Sequence, residues 1–276
     1  MDQPRRKPGG ATGARRAARL EIIAPASVPL VRPGDDLAAI VIAALAEADE
    51  TLRDGDILVL AQKIVSKAED RYVALDTVTP SARAVTLAGQ VDKDARLVEL
   101  ILAEATEVVR HRPGVLIVAH RLGMVMANAG IDQSNVEPLP PGPDGAPRPR
   151  VLLLPEDPDA SCAALRAALR QRTGADVAVV INDSVGRAWR NGTVGMALGA
   201  AGLAALDTLN GRPDLFDRPL QATEVGLADE IAAAASLAMG QADEGRPLVL
   251  LRGLGPSARG GSAADLVRPR TRDLFR

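Results

Sequence analysis

The stretch Ile181-Asn-Asp-Ser-Val-Gly-Arg-Ala-Trp-Arg-Asn-Gly192 follows directly on an apolar run, Val177–Ile181. Five apolar residues bounded by polar ones suit a buried strand better than a helix. The strand then delivers Asp183 and Ser184 to what reads as a turn, with Arg187, Arg190 and two glycines close behind. Hard oxygens suit a divalent cation, and planar guanidinium forks suit an anion such as phosphate. The same residues also fit a plain β-turn in which Asp183 caps a helix and both arginines face water. This stretch by itself leaves both readings open.

Outward from that strand, apolar runs alternate irregularly with helical patterns. Short strands are expected at Glu21–Ile23, Ile57–Ala61, Val151–Leu154 and Leu248–Leu251. Val115–Ala119 and Met124–Met126 read as a hairpin-like pair around Arg121-Leu-Gly123. Helices are expected from Leu37 to Leu45 behind the cap Pro33-Gly-Asp-Asp36, at Ala95–Ala105, at Pro158–Arg172 and at Ala228–Met239. Thr79-Pro80 reads as a cap with proline at the first helical position, opening a helix toward Ala88. The segment from Gly195 to Gly202 fits a strand or a closely packed helix. These patterns give a mixed α/β, or α+β, protein. Residues 20–254 form the ordered body, with a proline-rich loop at 137–150 as a candidate subdomain boundary. Residues 255–276, rich in Gly, Ser and Arg, read as a mobile tail.

Composition narrows the chemistry. Tyr72, Trp189, Phe216 and Phe275 are the only aromatic residues, so the core is aliphatic and stacking on an oligonucleotide is a poor fit. Residues 1–19 carry a net charge of +5, leaving the rest at −7 against a total of −2. A basic, Pro/Gly/Ala-rich arm of this kind reads as disordered. The acidic body argues against nucleic acid as the main partner. No apolar run is long enough for a membrane span or a secretory signal, so a cytoplasmic protein is expected. Cys162, the one cysteine, sits in an apolar stretch and reads as a core thiol. His111 and His120 stand nine apart in arginine-flanked settings that suggest solvent edges. There is no phosphate-binding Gly-x-x-x-x-Gly-Lys loop, and Gly253-Leu-Gly255 lacks the third glycine of a dinucleotide fingerprint.

Two further polar clusters stand out. Ala127-Asn-Ala-Gly-Ile-Asp-Gln-Ser-Asn-Val136 sets small residues beside Asp132 and Asn135. Small residues let backbone approach a ligand, although an Asx-turn explains the same pattern. Met239-Gly-Gln-Ala-Asp-Glu-Gly-Arg-Pro247 breaks a helix into glycine, Gln241 and acids, which a helix C-cap and loop also explain.

The order of these segments resembles the coenzyme F420-0:L-glutamate ligase family. The resemblance runs from Pro-Gly-Asp-Asp-Leu37 and Asp-Gly-Asp56, through Gln62-Lys-Ile-Val-Ser-Lys67, to ANAGIDQSNV, LLLPEDPDAS, the opening Asp-Ser-x-Gly-Arg-x-Trp-Arg-x-Gly and ADEIAAAASLAMGQADEG. It covers roughly residues 20–254. It implies a fold particular to that family, an intertwined homodimer, and a GTP-dependent, amide-forming ligase. The implied reaction joins L-glutamate to the lactyl carboxylate of coenzyme F420-0 through an acyl phosphate, then adds further glutamate in γ-linkage. The implied cofactors are divalent cations, Mg²⁺ or Mn²⁺, two per site, with K⁺ as a further candidate.

Carried over position by position, the resemblance makes Asp132, Asp183, Ser184 and Gln241 metal ligands. Where Ser184 and Gln241 stand, other members often have Thr and Glu. Val28, Pro29, Leu30, Val31, Gln62, Lys67 and Asn135 become GTP contacts, with Ser or Thr frequent at the position of Gln62. Arg187 and Arg190 are assigned to catalysis as anion-binding groups. In actinobacterial relatives a nitroreductase-like domain follows near Asp-Leu-Phe-Arg276, so ligation alone is expected here. A metal-dependent phosphate-ester or nucleotide hydrolase built on the same Asp and Arg cluster is the competing enzyme. A non-catalytic deazaflavin-binding module is the third reading.

Overall fold

The structure is a computed structural model that describes residues 18–254 and 260–274. The basic arm lies outside the described residues as far as residue 17. In chain order the body opens with β1 (Glu21–Ile23), α1 (Leu37–Glu47), β2 (Ile57–Ala61) and α2 (Gln62–Ala68). Next come β3 (Tyr72–Ala74), α3 (Ala82–Val91), α4 (Ala95–Ala103), β4 (Ala105–Arg112), β5 (Val115–His120), β6 (Val125–Ala127) and β7 (Arg150–Leu152). The chain continues through α5 (Pro158–Thr173), β8 (Ala178–Arg187), β9 (Arg190–Ala201), β10 (Asp207–Thr208), β11 (Glu224–Val225), α6 (Leu227–Met239) and β12 (Leu248–Arg252). Among the described residues no helix is long and apolar enough to cross a membrane.

The principal sheet runs β1-β12-β2-β8-β9, with β2 and β8 parallel and the other pairs antiparallel. Both faces are covered, which is why β2 and β8 read as unbroken apolar runs. Leu58, Leu60, Val179 and Ile181 share one apolar cluster with residues of α1 and α5. Ile57, Val59, Ala178 and Val180 share the other with Ile231, Ala232 and Ala235 of α6. With so few aromatic side chains, close approach of backbones does much of the packing. A Cβ on Gly195 would run into Ser236 and the Ala232 carbonyl of α6, and one on Gly199 would run into Pro158 of α5. These glycines settle the segment after Gly195 as strand, because only a glycine surface lets both helices lie so near it.

A second, smaller core lies between α2 and α5 in the chain. There α3 and α4 pack on the antiparallel sheet β4-β5-β6, burying Leu87, Val98, Ile101, Leu116 and Val118. The proline-rich stretch 137–150 is a surface excursion closed by a Leu139–Arg148 bridge.

The structure corrects several sequence expectations. The turn assigned to Asp183 and Ser184 is not there: β8 continues to Arg187, and the reversal comes at Trp189, whose φ is +58°. Asp183 and Ser184 pair within the ladder with Met196 and Gly195. The third helix is capped by Ser81, whose hydroxyl accepts from Ala84 N at 3.2 Å, so Thr79-Pro80 lies outside it. His120 is buried at 1% exposure instead of solvent-edged, with its Nε2 3.3 Å from the Glu104 carboxylate that Arg121 also engages. The expected free tail is in part folded on the body. Residues 263–266 form a turn closed by a Ser262–Asp265 capping box, with Ala263 buried, while Arg270 pairs with Glu107 at 2.9 Å. Residues 255–259 and 275–276 of that tail lie outside the described residues. Cys162 is fully buried as expected, and burial pushes its thiol far above the usual range.

Candidate active site

The parallel pairing of β2 and β8 ends with Ala61 opposite Asn182. Beyond the carboxyl ends of neighbouring parallel strands an α/β sheet leaves a crevice for ligands. Here the crevice is a cleft of about 1080 Å³. The chain leaves β2 directly into α2 at Gln62, whereas β8 runs on past its partner and carries Asn182, Asp183 and Ser184 along the floor. The register shifts at this point, Ile181 facing Gly199 and Asn182 facing Ala197, so the extra residue is Leu198 of β9. Asn182 turns to α6, donating to Ser236 Oγ at 3.0 Å, and Ser184 Oγ donates to Gln241 Oε1 at 2.6 Å.

Asp132 reaches the floor from the smaller core. Three successive left-handed residues, Asn128, Ala129 and Gly130, turn the chain just before it. Left-handed backbone at an alanine is strained, and such strain persists where the surroundings over-determine it. Ala129 is fully buried, and paired Asp132–Leu152 backbone bonds of 2.9 Å hold the next residues. The Asp132 carboxylate accepts from Lys63 Nζ at 2.8 Å and from Gln62 Nε2, while Gln62 Oε1 accepts from Ser66 Oγ at 2.8 Å.

Electrostatics mark this floor. Burial, reinforced by the Asp132 charge, pushes the Asp183 carboxyl up to about 7. Asp132 is also raised by burial, against the pull of Lys63. Two carboxylates that oppose each other's ionisation in a polar cleft are what a bound cation would relieve. On the adjoining wall, Lys67 Nζ donates to Asn135 O at 2.9 Å, and Asn135 Nδ2 reaches Ala242 O at 3.4 Å. Burial, followed by the Lys63 charge, lowers the Lys67 ammonium below its ordinary range. Arg150 stacks 3.9 Å over the Tyr72 ring at the far rim.

The cleft therefore gathers Val28, Pro29, Leu30, Val31, Gln62, Lys67, Asp132, Asn135, Asp183, Ser184 and Gln241 from five separate segments. Arg187 and Arg190 do not line it. Both are exposed at the β8–β9 tip, where Arg187 Nη2 donates to Asn191 O at 3.2 Å. Among the described residues no three His, Cys, Asp or Glu side chains converge on one point. The donor set at the floor is two carboxylates, a hydroxyl and an amide oxygen.

Residues 26–253 match the family model described as F420-0:gamma-glutamyl ligase. The chain belongs to that family. It is 45% identical over 259 residues to the coenzyme F420:L-glutamate ligase of Methanothermobacter thermautotrophicus, covering 93% of this chain and 99% of that protein. It is 47% identical over 256 residues to the protein of the same name from Methanopyrus kandleri, covering 90% and 96%. The corresponding protein of Methanocaldococcus jannaschii is 40% identical over 225 residues, 82% of this chain and 86% of that one.

In this member of the gamma-glutamyl ligase family the cleft also uses residues that sequence reasoning passed over. Lys63 sits one helical turn before Lys67, so an i, i+4 reading of α2 places both ammoniums on one face. Asn182 had no signal beyond its place beside Asp183; its Oδ1 is buried without a hydrogen-bond partner. Glu137 and Arg150 lie at the two ends of the proline-rich stretch, where composition speaks only of loop.

Proposed function

We propose that the cleft carries out GTP-dependent ligation of L-glutamate to the lactyl carboxylate of coenzyme F420-0, followed by γ-linked addition of further glutamate. The observation that carries this reading is that Asp132, Asp183, Ser184, Gln241 and Lys67 all line one cleft, in a chain of this family. A volume of about 1080 Å³ exceeds what one small ligand needs, so nucleotide and acceptor fit together.

In the proposed reaction an acceptor carboxylate oxygen attacks the γ-phosphorus of GTP, the bond to the bridging oxygen breaks, and GDP leaves. The glutamate nitrogen then attacks the acyl carbon of the mixed anhydride. Inorganic phosphate departs and the amine proton passes to solvent. No protein nucleophile is required, which suits a cleft whose only nearby cysteine is sealed inside the core. Positioning and charge compensation do the work instead.

Lys67 would bind phosphate oxygens, and its partial burial keeps water from competing for that ammonium. Asn135 and the Val28–Val31 backbone would line the nucleotide, whereas the Gln62 amide, expected there from the sequence, is engaged at both ends by Asp132 and Ser66. Asp132, Asp183, Ser184 and Gln241 fit divalent cations, since hard oxygens and two mutually repelling carboxylates are the donors such ions take. When bound, Mg²⁺ or Mn²⁺ would neutralise phosphate charge. Arg187 and Arg190 would act at the hairpin tip on anionic groups presented there, and the working form would be a homodimer.

The test is a mass measurement on F420-0 incubated with the protein, GTP, Mn²⁺ and L-glutamate. The reading expects glutamyl mass increments with GDP formed. Phosphate released with no increment identifies a hydrolase, and bound deazaflavin with no turnover identifies a binding module.

A further inference from the structure

Each oxygen of the Asp132 carboxylate already has a partner. One oxygen accepts from Lys63 Nζ at 2.8 Å and the other from Gln62 Nε2. A divalent cation held between Asp132 and Asp183 competes with these partners for the carboxylate, and the two are not equivalent. Gln62 is 1% exposed, and its amide oxygen is fixed by Ser66 Oγ at 2.8 Å, with Ser66 itself fully buried. Lys63 has 29% of its side chain exposed and reaches Asp132 on a flexible four-carbon stem. Lys67 is occupied elsewhere, on the Asn135 carbonyl.

We propose that Lys63 is a displaceable counter-ion for Asp132, holding that carboxylate in place of a divalent cation and giving way when the cation binds. This rests on the reading of Asp132 and Asp183 as cation ligands. Gln62 keeps the second oxygen throughout and so preserves the aim of the carboxylate. The ammonium both screens the two carboxylates from each other and repels an arriving cation. It therefore lowers the affinity of the nucleotide-free protein for metal. Phosphate groups entering the cleft would offer Lys63 a new partner, so cation and nucleotide would favour each other's binding.

The experiment titrates Mn²⁺ alone into the full-length protein at pH 8, reading free Mn²⁺ by electron paramagnetic resonance. Wild type is compared with Lys63→Met, Lys63→Gln, Lys63→Arg and Asp183→Asn, and far-UV circular dichroism confirms that each is folded. Removing the competing charge should tighten Mn²⁺ binding about tenfold in Lys63→Met and Lys63→Gln, a shift of the size a neighbouring charge exerts on a half-buried carboxylate. Lys63→Arg, which keeps the charge, should stay near wild type. A purely structural role for Lys63 would predict weaker binding in both neutral variants. Unchanged or weaker binding in both, with Asp183→Asn still losing the ion, overturns the counter-ion role and leaves the cation reading intact. No Mn²⁺ uptake by wild type or by either neutral Lys63 variant overturns both.

Discussion

The base and the tip of the β8–β9 hairpin both carry polar side chains, and the two behave differently. At the base, Asp183 and Ser184 stand in a ladder opposite Met196 and Gly195, backed by α6 and faced by Asp132. At the tip, Arg187 and Arg190 are exposed beside Trp189, which is 80% exposed. The base aims its oxygens by burial and hydrogen bonding within one chain. At the tip, among the described residues, Arg187 Nη2 donates to Asn191 O on the exposed surface. A cluster in the sequence is thus split in space. Chemistry is to be sought where packing fixes a side chain, and a second molecule where it does not.

The largest effect expected at the base is on turnover. Asp183→Asn should lower the rate of glutamyl transfer by at least about two orders of magnitude, the scale of losing one preorganised electrostatic group. Its thermal unfolding should remain cooperative. A near-normal rate would break the contrast at its stronger end.

Behind the floor, Gly195→Ala should cost about 1–3 kcal/mol as overpacking, because the added carbon meets Ser236, the Ala232 carbonyl and Asn182 Oδ1, the last at 2.6 Å. Urea unfolding measures this, and an unchanged midpoint would mean that β9 and α6 are not so closely packed.

Protonation offers a smaller and more selective probe. Asp183 titrates near 7 in the folded protein, against an ordinary value of 3.8. Between those values the native state holds a proton that the unfolded chain has lost. The metal-free protein therefore loses stability as pH rises from about 4 to about 7, and the effect levels off above that. Asp183→Asn should flatten this slope when urea midpoints are compared at pH 5 and pH 8 in chelator. An identical slope in the variant would place the titration elsewhere.

At the tip the expected stability effect is the smallest. Arg187→Ala should change unfolding free energy by no more than about 0.5 kcal/mol, as for other exposed surface positions. A larger loss would show that the tip is held more firmly than the exposed Arg187–Asn191 contact implies.

Much of the fold was legible where periodicity and caps agree. β1 and β2 fall at Glu21–Ile23 and Ile57–Ala61 as expected, Asp36 caps α1 as expected, and α5 covers the expected Pro158–Arg172 and one residue more. β4 escaped notice because Thr106-Glu-Val-Val-Arg-His-Arg112 is polar on its outer side and its ladder is interrupted by register shifts. His120 was misplaced because a buried ion cluster depends on Glu104, sixteen residues earlier in the chain. The Asp183 turn was misread since a β-strand that outruns its neighbour looks, in sequence, like a strand that has ended. At the site, the oxygen donors and Lys67 were legible as residue types in order. Lys63 was not, because its role depends on Asp132 arriving from another core.

The most direct measurement follows one oxygen atom. F420-0 labelled with ¹⁸O in the lactyl carboxylate is incubated with the protein, GTP, Mn²⁺ and L-glutamate, and the phosphate released is analysed by mass. Ligation through an acyl phosphate predicts one labelled oxygen in phosphate for each amide formed at that carboxylate. Unlabelled phosphate, with or without amide, would contradict it.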